Sequence, residues 1–93
     1  MRRIFFPLPH RIAADDSLYG VRVRGDEHAD GRWEPCIEFE SRSGIRLETC
    51  PPMKMSTPGD LKTWAEKLDE PYLLEALARA SQGPIRKTRK RKP

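Results

Sequence analysis

The sequence lacks most of the features that would name an activity. Its longest apolar stretch, within MRRIFFPLPH, is broken by Pro7 and Pro9. That is too short for a secretory core or a membrane span, so a cytoplasmic protein with no membrane association is the expectation. Cysteine is scarce: Cys36 and Cys50 make no disulfide framework and in a reducing compartment are read as free thiols. Together with His10 and His28 they have none of the short paired spacings that bring two metal ligands together, so neither a metal nor a cofactor is expected. No glycine-rich phosphate loop occurs. A Cys36–His pair would need a held base and oxyanion donors, but His28 lies in the acidic turn DEHADG with no glycine-rich turn nearby. The chain is therefore expected not to be an enzyme, and no small-molecule substrate is identified. Glu34, Glu38, Glu40 and Glu48 read as a solvated sheet face rather than an acid–base pair.

Charge is abundant and unevenly placed. The chain has 18 Lys and Arg against 14 Asp and Glu, or +4. Residues 86–92 supply six of the positives and Arg2 with Arg3 two more, leaving 10 against 14, or −4, for residues 4–85. A basic pI thus describes the ends, and a basic face on the body requires clustering that composition alone does not reveal. With 93 residues the chain is one small domain, whose core of roughly 65–75 residues has barely enough burial, so dimerisation is a standing possibility.

The pattern along the chain predicts an α+β fold: a small antiparallel meander of three to four strands packed on one amphipathic helix, then a second helix and a disordered basic tail. Period-two alternation places strands at about 18–25, 33–40 and 45–50. Tyr19, Val21 and Val23 share one side of the first; Trp33, Pro35, Ile37 and Phe39 share one side of the second, where Pro35 suits an edge or a bulge. SRSG is a hairpin loop, and Ile45, Leu47 and Thr49 point inward after it. The expected register pairs Phe39 with Ile45 and sets Glu38 opposite Arg46. A two-residue slip would set Cys36 opposite Cys50 and Glu38 opposite Glu48, and is disfavoured by the like charges.

STPGD is a helix start, with Thr57 as N-cap, Pro58 in the first position and Asp60 in the third. Leu61, Trp64, Ala65 and Leu68 then form one stripe of a helix over about 58–68. A second helix, about 70–82, has Asp69 as its cap, Leu73, Leu74 and Leu77 as apolar positions and Gly83 as its stop. Residues 1–17 form either an edge strand or an apolar arm, 18–83 the domain, and 84–93 the tail.

The run YGVRVRGDEHADGRWEPCIEFESRSGIRLET, followed by a helix containing LKTWAEKL, resembles the three-strands-plus-helix DNA-binding domain of plant ethylene-response factors and the arm-binding domains of integrases. Tyr19, Gly20, Val21, Arg22, Arg24, Gly31, Arg32, Trp33 and Arg46 carry the likeness, over roughly half the chain. It implies a sheet whose exposed Arg22, Arg24, Arg32 and Arg46 touch bases or phosphates. The basic end adds Arg86, Lys87, Arg89, Lys90, Arg91 and Lys92 as phosphate contacts. The leading expectation is a small accessory protein that binds DNA or RNA. The alternative is a protein-interaction module, homodimeric or with another protein partner, using Phe5, Phe6 and Trp33, with the tail only a solvated end.

Overall fold

The computed structural model describes residues 2–14 and 16–88, with side chains described through residue 82. Four strands form one antiparallel sheet in the order β1-β2-β3-β4, with β1 Arg3–Ala14, β2 Ser17–Glu27, β3 Trp33–Ser41 and β4 Arg46–Thr49. Two helices follow, α1 Pro58–Glu66 and α2 Glu70–Thr88. Residues 3–14 are thus an edge strand rather than a loose arm. Pro7 and Pro9 fit there because an edge strand has one side with no ladder bonds to lose. β1 and β2 are joined where Ala14 pairs with Ser17, and Asp16 just before Ser17 takes φ 63°. Aspartate tolerates that left-handed conformation better than most residues do.

Alternation decides the two faces. Ile12, Tyr19, Val21, Val23, Trp33, Ile37 and Phe39 are buried on the inner face together with Leu61, Ala65 and Leu68, and with Leu73, Ala76, Leu77 and Ala80 of α2. α1 lies against β1, β2 and β3, whereas α2 lies against β1 and β4. Thr57 caps α1 by accepting from the Asp60 N–H at 3.1 Å, and Asp69 does the same for the Tyr72 N–H at 3.1 Å, so both expected caps form. Leu74 stays 43% exposed and is no part of the core.

Three expectations are corrected. The β3–β4 register is the disfavoured one: Phe39 faces Leu47, Glu40 faces Arg46 and Glu38 faces Glu48. The hairpin loop sets it. Ser41 N–H bonds to Ile45 O at 2.9 Å, Gly44 adopts φ 96°, and the short Arg42–Gly44 loop fixes which residues pair. This leaves Ile45 45% exposed. In consequence Cys36 and Cys50 are not free thiols but form a disulfide across the two strands, with Cα atoms 4.1 Å apart. Finally, α2 does not stop at Gly83 but continues through Pro84 to Thr88. Pro84, lacking a backbone N–H, removes one rung of the ladder there.

Candidate functional site

The outer face of the sheet has no helix over it among the described residues, because both helices pack on the other side. Residues of opposite parity to the core stand on it: Phe5 and Arg11 from β1, Gly20, Arg22 and Arg24 from β2, Glu38 and Glu40 from β3, and Arg46 and Glu48 from β4. They line a broad shallow trough together with Arg3, Arg42 and Leu18. Six arginines meet three glutamates in that lining, and Asp26, paired with Arg3 and Arg24 at its edge, brings the local excess to +2, on a body whose residues 4–85 carry −4.

The middle of the trough is a neutralised lattice. Arg24, with 13% of its side chain exposed, lies 3.1 Å from Asp26, 2.6 Å from Glu38 and 2.7 Å from Glu48. It answers the sequence-level objection to this register, since a guanidinium inserted between Glu38 and Glu48 turns a repulsive pair into a bridge. The Glu48 hydrogen bond is the largest influence on Arg24 and outweighs the opposing effect of burial, so its pKa is raised and it is charged at every accessible pH. Burial pushes Glu38 upward, but hydrogen bonds from Arg22 and Arg24 win and hold its carboxyl below the ordinary range. Arg22 donates to Glu38 at 2.5 Å and lies over the Phe5 ring, 4.2 Å from its centroid.

The ends of the trough are different. Arg3 pairs with Asp26 at 2.8 Å and Arg46 with Glu40 at 3.3 Å, but their side chains remain 60% and 72% exposed. Among the described residues Arg11 and Arg42 pair with no carboxylate; the one bond that Arg11 makes is to the carbonyl of His10 at 3.3 Å. Arg42 rides on a loop fixed by Ser41 Oγ, which accepts from the Ile45 N–H at 3.1 Å and contacts Ser43 Oγ at 3.0 Å.

Of the residues singled out by sequence, Arg22, Arg24 and Arg46 share this face. Arg32 does not line it, and binds Asp30 at the far turn, Nε to Oδ2 3.2 Å. There the backbone N–H of Arg32 is the chief cause of the lowered Asp30 pKa. Arg86 and Lys87 lie in the last turn of α2, and Arg89, Lys90, Arg91 and Lys92 lie outside the described residues. Phe5, Phe6 and Trp33 form no common patch: Phe5 is on the outer face and 43% exposed, Trp33 is 2% exposed in the core, and Phe6 packs against that core. Arg3, Arg11 and Arg42 were missed by sequence reasoning. The first two required β1 to be placed in the sheet, and Arg42 required the hairpin loop.

Two other polar clusters stand among the described residues. Cys36, Glu48 and Cys50 bring ligand-type atoms within 4.8 Å of one another, but the two sulfurs are bonded together and present no thiolate. His28 pairs with Glu34 at 2.9 Å at the β2–β3 turn. Comparison of the chain with known protein families, curated proteins and solved structures finds no match. The part of the sequence resemblance that stands is the antiparallel sheet with C-terminal helices, here with four strands and two helices.

Proposed function

We propose that this protein binds nucleic acid through the outer face of its sheet, without catalysis, and that the basic end adds non-specific affinity. The observation that carries the reading is the concentration of arginine in the trough, six against three glutamates and the flanking Asp26, on an otherwise acidic body. Charge so placed attracts a polyanion to one face and repels it from the others. The face is also the one that the resembling DNA-binding domains would lay against their ligand. Phosphates take the exposed guanidiniums of Arg3, Arg11, Arg42 and Arg46, while the Arg24 lattice keeps the floor rigid. Arg22 and its Phe5 neighbour present a flat cationic and aromatic surface to a base or sugar.

The test is a salt titration of the full chain against labelled DNA and RNA, in duplex and single-stranded form. Binding should weaken linearly in log[salt], and the Arg3→Gln/Arg46→Gln variant should show a slope shallower by up to about 0.7–0.9 for each phosphate that is no longer neutralised. An unaltered slope with an unaltered affinity would remove the sheet from the interface.

A further inference from the structure

The two interior glycines of β2 differ in what accounts for them. A Cβ on Gly25 would lie 2.7 Å from Leu61 Cδ2 and 3.3 Å from Ile4 Cγ1, so the close seating of α1 requires glycine there. A Cβ on Gly20 would meet only Arg11 Nη1 and the Glu40 carbonyl oxygen, both at an ordinary 3.9 Å. Gly20 is not among the positive-φ residues either. Neither packing nor backbone conformation demands glycine at this position. A glycine inside a strand costs stability relative to a residue with a side chain, and one that nothing in the fold explains marks a place where something approaches the backbone closely.

The surroundings of Gly20 say what that is. Across the sheet the outer-face row reads Arg11, Gly20, Glu40, Arg46 from β1 to β4. The next row toward the β3–β4 hairpin, one step beyond the Tyr19–Ser41 pair, adds Leu18 and Arg42. A floor of bare backbone is therefore ringed by three arginines, with Glu40 already answered by Arg46. Two of the three, Arg11 and Arg42, have no carboxylate partner among the described residues. Arg11 reaches this place because β1 is irregular: Pro7 faces Arg22 and Arg11 faces Gly20, so Leu8, Pro9 and His10 together span one residue of β2. The bulge re-aims the end of β1 over the hollow.

Resting on the nucleic-acid reading above, we propose that the Gly20 hollow seats one backbone phosphate of a single-stranded nucleic acid, with Arg11 and Arg42 as its charge partners and the adjoining bases lying on Phe5 and Leu18. A hollow sunk below the surrounding side chains is reached by a flexible strand more readily than by the rigid cylinder of a duplex. Phe5 and Leu18 are 43% and 53% exposed on the same face, and an unstacked base covers such surfaces. From Gly20 to Arg24, the β2 partner of Phe5, is four residues, about 13 Å at ~3.3 Å per residue, a span of roughly two nucleotides.

The experiment compares full-length wild type, Gly20→Val and Arg11→Gln in anisotropy titrations with labelled single-stranded oligo(dT) and oligo(U), and with a duplex of equal length. Thermal melts of each protein are recorded alongside. Gly20→Val fills the hollow without contacting the core. Its expected result is at least a tenfold loss of single-strand affinity with a melting temperature equal to or above that of wild type, a combination that a merely structural role does not give. Arg11→Gln should lose affinity and flatten the salt slope by about 0.7, the value for one phosphate of a single strand. If wild type binds but both variants bind single strands within twofold of it, the seat is wrong and the wider reading survives. A wild type that prefers duplex overturns the single-strand assignment. If wild type binds no nucleic acid at low salt, both fall.

Discussion

Replacing Arg24 by methionine separates the lattice from the exposed arginines at the ends of the trough. Methionine keeps much of the apolar stem and removes the guanidinium. Three ion pairs are lost, to Asp26 at 3.1 Å, Glu38 at 2.6 Å and Glu48 at 2.7 Å. Exposed pairs are worth ~0.2–1 kcal/mol each. Asp26 and Glu38 are only 24% and 20% exposed and belong near the top of that range, whereas Glu48, 47% exposed, belongs near the bottom because water screens it. Glu38 then faces Glu48 across the strands with Arg22 alone to offset it, a like-charge cost of ~0.2–1 kcal/mol. The expected deficit is about 2–3 kcal/mol at pH 7. Its pH dependence is more diagnostic. In wild type the Glu38 carboxyl is lowered, so its contribution is present above the unfolded carboxylate pKa and fades as pH falls through the folded value. In the variant the facing carboxylates raise each other, the folded state takes up protons more readily than the unfolded one, and acid relieves the repulsion. Urea melts followed by the fluorescence of buried Trp33 should show the deficit shrinking between pH 7 and pH 4, and Glu48→Gln should restore part of the stability of Arg24→Met at pH 7. A deficit below about 0.5 kcal/mol at pH 7, a quarter or less of that expected, or one that grows on acidification, would refute the reasoning.

Other substitutions test other joints. Gly25→Ala drives a methyl group to 2.7 Å from Leu61 and should cost roughly 1–3 kcal/mol, part of it recovered by a smaller side chain at position 61. Reducing the Cys36–Cys50 bond, which closes a loop of sequence separation 14, should cost about 3 kcal/mol in a chemical melt, and an unchanged midpoint would show that β4 is held by packing alone. Thr57→Ala removes the cap of α1 and should cost about 1 kcal/mol, with Thr57→Ser close to wild type in the same melt. Neutralising Arg86, Lys87, Arg89, Lys90, Arg91 and Lys92 should flatten the salt slope for duplex and single strand alike while leaving the Gly20→Val effect intact.

Much of the frame could be read directly. Alternation in YGVRVRG and WEPCIEFE assigned the inner faces correctly, and the Thr57 and Asp69 caps located both helix starts, because each is a local effect of a few adjacent residues. The register of β4 was misjudged because the decisive partner of Glu48 is Arg24, on a strand that is not its neighbour. Pairwise cross-strand reasoning saw two like charges and missed the cation between them. The disulfide was hidden for the same reason, since it follows from the register. The sequence left residues 1–17 as either an edge strand or an arm, and without a settled strand Arg3 and Arg11 had no assigned place on the outer face.

The central claim, that the uncovered sheet face is the binding surface, is met most directly by amide chemical-shift mapping of the full chain during titration with a short single-stranded oligonucleotide. The account predicts that Arg11, Gly20, Arg22, Arg42 and Arg46 shift together and saturably while the exposed face of α1 stays still. Shifts confined to residues 86–92, with the sheet unmoved, would contradict it.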